Sequence, residues 1–104
     1  MKQLDLSIPD ERLVLMLRAL GNPARFRIVQ ELRERGVCQT GPLADALPLA
    51  QSTVSEHLRR LKEAGLVTGE IDGPATCYCI DEEAFAWFQA RIAGLRTGVP
   101  AASA

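Results

Sequence analysis

Glycine and proline cut this chain into short segments, and that punctuation limits its fold more than any other feature. Gly21, Gly36 and Gly65 follow runs of helical periodicity. Pro23 and Pro42 stand where helices begin, Pro48 closes a segment, and Asp72-Gly73 separates two stretches of strand character. Glycine reaches the backbone conformations that end helices, whereas proline lacks an interior amide but suits a helix's first turn. What remains between these points is a set of short helices and short strands. With 104 residues the chain fits one domain, and a domain of that size buries roughly 60–70% of its unfolded surface, enough for a core without disulfide or metal staples.

The segments follow in a definite order. Pro9, Asp10 and Glu11 occupy the first turn of a helix in which Leu13, Val14, Leu17 and Leu20 recur at helical spacing. Asn22 caps a second helix opened by Pro23, with Phe26, Ile28, Val29 and Leu32 as its expected buried side. Val37 to Gln39 is a short extended piece, and Gly41-Pro42 opens a third helix running through about Leu47. A fourth begins near Gln51 with Val54, Leu58 and Leu61 as its apolar stripe. Leu66 to Ile71 and Ala75 to Ile80 read as two strands joined by an Asp72-Gly73 turn, because both residues tolerate positive φ. Asp81 caps a last helix whose Ala84, Phe85, Phe88, Ile92 and Leu95 share a face. The predicted fold is mainly α with a small β-wing, in the order α-α-β-α-α-β-β-α. That is a winged helix-turn-helix over residues 1–96, followed by a flexible tail over 97–104.

Hydrophobic residues make up 47% and charged residues 24% of the chain, an ordinary globular balance. Because the net charge is -1, attraction to a nucleic acid has to come from a local patch. No apolar run is long enough to span a bilayer, and Asp10, Glu11, Arg12 and Arg18 interrupt the apolar N-terminal stretch, so neither a membrane partner nor a signal peptide is expected. The expected location is the cytoplasm, with Cys38, Cys77 and Cys79 reduced. A single histidine, no glycine-rich phosphate loop and no nucleophile–base motif argue against an enzyme.

The fourth helix has two unlike faces. Val54, Leu58 and Leu61 point one way, while Gln51, Ser52, Thr53, Ser55, Arg59 and Arg60 point the other. Short polar side chains at a helix start can approach base edges in a major groove, and Arg59, Arg60 and Lys62 put positive charge where a duplex backbone would run. Such a face is also what a plain solvated helix shows. Its position immediately before a hairpin favours the DNA-reading alternative. An acidic wing on a nearly neutral chain also suits a protein–protein interaction module, and a steep salt dependence of binding separates the two.

Leu20-Gly21-Asn22-Pro23-Ala24-Arg25-Phe26-Arg27-Ile28, Gln51 to Leu61 and Ala64-Gly65-Leu66-Val67 together resemble the signatures of the ArsR/SmtB-type winged-helix regulators. The resemblance covers nearly the whole chain outside the tail. It implies a homodimeric repressor of transcription on an inverted-repeat operator in double-stranded DNA, with Gln51, Ser52, Thr53, Ser55 and His57 facing the duplex. It further implies pairing through the first and last helices, with Leu13, Leu17, Phe85, Trp87, Phe88 and Ile92 as contact candidates. Two departures stand out: Ala50 replaces the family's frequent serine cap, and Glu70 and Asp72 make the wing acidic where a basic tip would suit phosphates.

The resemblance also bears on sensing. A common family site places a Cys-x-Cys pair at the start of the third helix, where this chain has Gln39 and Gly41, and another uses histidines of the last helix, which has none. Cys77 and Cys79 remain, two apart on a strand and hence on one face, with Cys38 on the first short strand. Their Cα atoms would lie about 6.5–7 Å apart, at the outer limit for a direct disulfide. Tyr78 and Ile80 read as inward-facing and the two wing cysteines as outward-facing. The thiols are candidates for arsenite or zinc, or for oxidation, against the plain alternative of small half-buried strand residues.

Overall fold

The computed structural model describes residues 4–35, 47–70 and 77–97. Its elements are α1 (Ile8–Leu20), α2 (Pro23–Arg35), α3 (Gln51–Glu63), β1 (Val67–Glu70), β2 (Cys77–Ile80) and α4 (Glu82–Thr97). These helices and the small antiparallel sheet are those of a winged helix. The expected first strand, the helix opening at Gly41, the Asp72-Gly73 turn and all of the tail beyond Thr97 lie outside the described residues. Thr97 itself ends α4.

The helix starts follow from their caps. Ser7 Oγ accepts from the Asp10 amide at 3.2 Å, Asn22 Oδ1 from the Arg25 amide at 3.1 Å, and Asp81 Oδ1 from the Ala84 amide at 3.0 Å. Each satisfies an amide that the first turn leaves without a partner. At the start of α3, Ala50 makes no such side-chain bond.

The same helix stops at Gly65. The Gly65 amide donates to the Lys62 carbonyl at 2.9 Å and the Leu66 amide to the Leu61 carbonyl at 3.0 Å, the paired bonds of a Schellman ending. Gly65 has φ 82 and Gly69, inside β1, has φ 142, both in the region that favours glycine. The register pairs Val67 with Ile80, Thr68 with Cys79, Gly69 with Tyr78 and Glu70 with Cys77. An Asp81 amide bond to the Leu66 carbonyl, 3.0 Å, carries the pairing one step beyond the strands.

Met16, Ile28, Val54, Leu58, Leu61, Leu66 and Tyr78 are fully enclosed and meet in one core. Burying a side chain of this size stabilises the fold by roughly 1.5–3 kcal/mol. Tyr78 points inward, as the strand alternation predicts, and Ile80 packs against the same core.

The structure fixes the buried face of α1 and corrects that of α2. On α1 the enclosed side is Leu13, Met16 and Ala19, whereas Val14 and Leu17 are 39% and 43% exposed. A run of five apolar residues, Leu13 to Leu17, has no clean stripe, so the packing partners choose the face. Phe26 was expected inside α2 but is 51% exposed. Ile28 and Leu32, four apart, define the inward direction, and Phe26 lies about 200° around the helix from Ile28.

Candidate nucleic-acid interface

Helix α3 presents the polar face that its sequence suggests. Gln51, Ser52 and Thr53 are exposed at its start, Ser55 and His57 are half-buried, and Glu56, Arg59 and Arg60 are exposed farther along. The opposite side, with Val54, Leu58 and Leu61, is fully enclosed. The helix is therefore held from behind by the core, and its other side opens outward.

Charge on this face is organised around a residue that the sequence pattern did not single out. Glu56 lies 3.5 Å from Arg59 and 3.4 Å from Arg60. All three are about half exposed, so each pair is a weak, screened contact. Lys62, expected to face a phosphate backbone, instead donates to the Gly69 carbonyl. It ties the end of α3 to the first wing strand.

His57 is contacted from α2. The Arg25 guanidinium donates through Nε to the Ala19 carbonyl at 2.7 Å, and its Nη1 lies 3.5 Å from His57 Nδ1. Burial, followed by the charge of Arg25, lowers the His57 pKa below the ordinary value of 6.5, with Glu56 acting in the opposite sense. The two residues are 32 positions apart, which no local spacing rule reveals.

The candidate pairing residues fall into two groups. Leu17 and Ile92 are 43% and 36% exposed, and Ile8, Leu15 and Leu95 of the same two helices are exposed as well. Leu13 is already enclosed by its own chain, and Phe85, Trp87 and Phe88 are half-buried against the core. Phe85 and Phe88 meet edge to face with centroids 6.3 Å apart. Two guanidinium groups lie over the Trp87 ring, Arg12 at 4.4 Å and Arg91 at 5.2 Å from its centroid. Arg33 and Glu82 form a two-point pair at 2.7 and 2.9 Å that joins α2 to the start of α4. This hydrogen bonding raises the Arg33 pKa and lowers that of Glu82.

The cysteines differ from expectation in one respect. Cys79 is half-buried and disulfide-bonded, where a reduced thiol was expected from the compartment alone. Cys38 and the Cys77 side chain lie outside the described residues. Among the described residues no three His, Cys, Asp or Glu side chains come together as a metal site, and no helix is long and apolar enough to cross a membrane.

A family model described as a helix-turn-helix domain matches residues 20–70. The HTH-type transcriptional repressor SmtB of Mycobacterium tuberculosis is 49% identical over 63 residues, covering 61% of this chain and 46% of that protein. The uncharacterized HTH-type transcriptional regulator YbzH of Bacillus subtilis is 36% identical over 84 residues, covering 66% and 83% respectively. The crystal structure of a possible transcriptional regulator for arsenical resistance superposes with a TM-score of 0.66 at 36% identity, covering 77% of this chain and 82% of the other. The chain spans about half the length of the first curated relatives it matches. The fold, the helix that faces outward before the wing and these likenesses agree: the chain belongs to the ArsR/SmtB-type winged-helix transcriptional regulators.

Proposed function

We propose that this protein is a cytoplasmic, homodimeric repressor that reads an inverted-repeat operator with α3. The observation that carries the reading is the division of that helix, with Val54, Leu58 and Leu61 enclosed and Gln51, Ser52 and Thr53 exposed. Its first-turn side chains suit base edges, and Arg59 and Arg60 suit the flanking phosphates. The exposed apolar residues of α1 and α4, with Leu17 and Ile92 among them, support pairing of two copies. Paired copies would place half-site centres about 34–36 Å apart, one helical turn.

The test is binding to the DNA upstream of the protein's own gene, with the oligomeric state measured by sedimentation. Saturable binding of a dimer that weakens steeply with salt supports the reading. A monomer indifferent to every duplex overturns it.

Thiol chemistry near the wing is the proposed release signal. Cys79 participates in a disulfide, and Cys77, two residues away on the same strand, is at the edge of bonding reach. The partner of Cys79 is one of the two other cysteines, Cys38 or Cys77. Oxidation by a peroxide would join the two sulfurs, passing two electrons to the oxidant and releasing two protons. Arsenite or zinc would need the same sulfurs as thiolates, so metal binding belongs to the reduced protein. The wild type should leave DNA under peroxide, arsenite or zinc while Cys79→Ser stays bound. Equal release of both proteins would remove the proposal.

A further inference from the structure

The contact between α2 and His57 carries an inference that rests on the DNA-binding reading and deepens it. Arg25 is anchored twice. Its amide takes the Asn22 cap at 3.1 Å, and its Nε takes the Ala19 carbonyl at 2.7 Å. Ala19 is in the last turn of α1, where carbonyls lack partners within the helix. The guanidinium is thus held at the corner between α1 and α2 and aimed at α3, 3.5 Å from His57 Nδ1.

A guanidinium offers only N–H groups and does not give up its proton in a protein. The ring nitrogen it faces is thereby placed to accept, an arrangement that favours the neutral imidazole with its proton on Nε2. From these contacts we infer that Arg25 is a positioning residue of the DNA-reading helix. It locks His57 in the tautomer whose Nε2–H donates to a phosphate oxygen, and it couples the α1–α2 corner to α3.

Among the described residues, the charged groups acting on His57 are Arg25 from α2 and Glu56 from its own helix. They oppose each other, so the proton equilibrium of the ring reports directly on Arg25. Lysine cannot substitute fully, because one point charge cannot hold the Ala19 carbonyl and the ring together as the planar fork does.

Two measurements on the full chain test this. The first is NMR titration of the His57 ring without DNA. Arg25→Leu should move the midpoint upward and Arg25→Lys should move it less; an unmoved midpoint overturns the coupling. The second is a double-mutant cycle on a duplex that the wild type selects from a random pool. Arg25→Leu should weaken binding about tenfold with His57 present and less than about twofold in a His57→Ala background. Equal losses in both backgrounds, or no loss in the first, overturn the positioning role. If circular dichroism shows that Arg25→Leu does not fold, Arg25→Lys takes its place in the cycle, with about a threefold loss expected. A wild type that selects no duplex removes the DNA-binding reading and this role with it, and a ring titration that still responds to Arg25 marks that failure as belonging to the reading alone.

Discussion

Neutralising Glu56 should tighten DNA binding. Its carboxylate lies 3.5 Å from Arg59 and 3.4 Å from Arg60, with all three side chains 47–61% exposed. Exposed ion pairs of this kind are worth about 0.2–1 kcal/mol each. Both must loosen before the two guanidiniums can turn to a phosphate backbone. The competition therefore costs about 0.4–2 kcal/mol per protomer, a factor of roughly two to thirty in affinity. Glu56→Gln keeps the shape and removes the charge of this competitor. Fluorescence anisotropy on a labelled duplex at fixed salt reads the effect directly. Urea unfolding should show a loss of about 0.4–2 kcal/mol at most, the worth of the two pairs removed. Binding that is unchanged or weaker in Glu56→Gln would refute the argument that Arg59 and Arg60 meet phosphate.

Three further outcomes follow from the same geometry. Gly65→Ala should destabilise the protein by about 1 kcal/mol, because left-handed backbone costs alanine roughly 1–2 kcal/mol while a stiffer unfolded chain offsets about 0.4–1. The nearest atom to the added carbon is Met16 Cε at 3.9 Å, so no clash adds to this, and a loss well above 2 kcal/mol in urea would refute the backbone explanation. Leu58→Ala should cost about 2–5 kcal/mol of stability, whereas Gln51→Ala should leave stability within about 0.5 kcal/mol and still weaken DNA binding; a Gln51 variant with intact affinity would count against base contact. His57 binds its proton less readily in the native state than in the unfolded chain, so the unfolded state holds more protons and stability rises with pH. The contribution is fully present above the ordinary value of 6.5 and is lost as pH falls through the lower native value. His57→Gln should flatten this part of the urea-unfolding profile, and a slope of the other sign would exclude the assigned cause.

Where charge and hydropathy segregate cleanly, the structure could be read in advance. Val54, Leu58 and Leu61 are separated by polar residues at helical spacing, and all three are fully enclosed. Asn22 and Asp81 cap as their positions suggest. Helix α1 was harder, because Leu13 to Leu17 is apolar on every side and only tertiary packing decides that Met16 goes in and Leu17 stays out. The contact between Arg25 and His57 joins two helices through space, and the Glu56 pairs depend on rotamers, so neither leaves a periodic mark on the chain. Cys79 lies on the half-exposed side of its strand, as the alternation with Tyr78 implied, but the oxidation state of its sulfur depends on a second sulfur, which periodicity does not reveal.

Trp87 is the chain's only tryptophan, and the two cations stacked on it come from different helices, Arg12 from α1 and Arg91 from its own α4. Indole emission responds to nearby charge and to water. Any rearrangement that slides the first helix along the last would therefore change the native fluorescence, so the molecule carries an optical gauge of how these two helices sit that needs no attached dye.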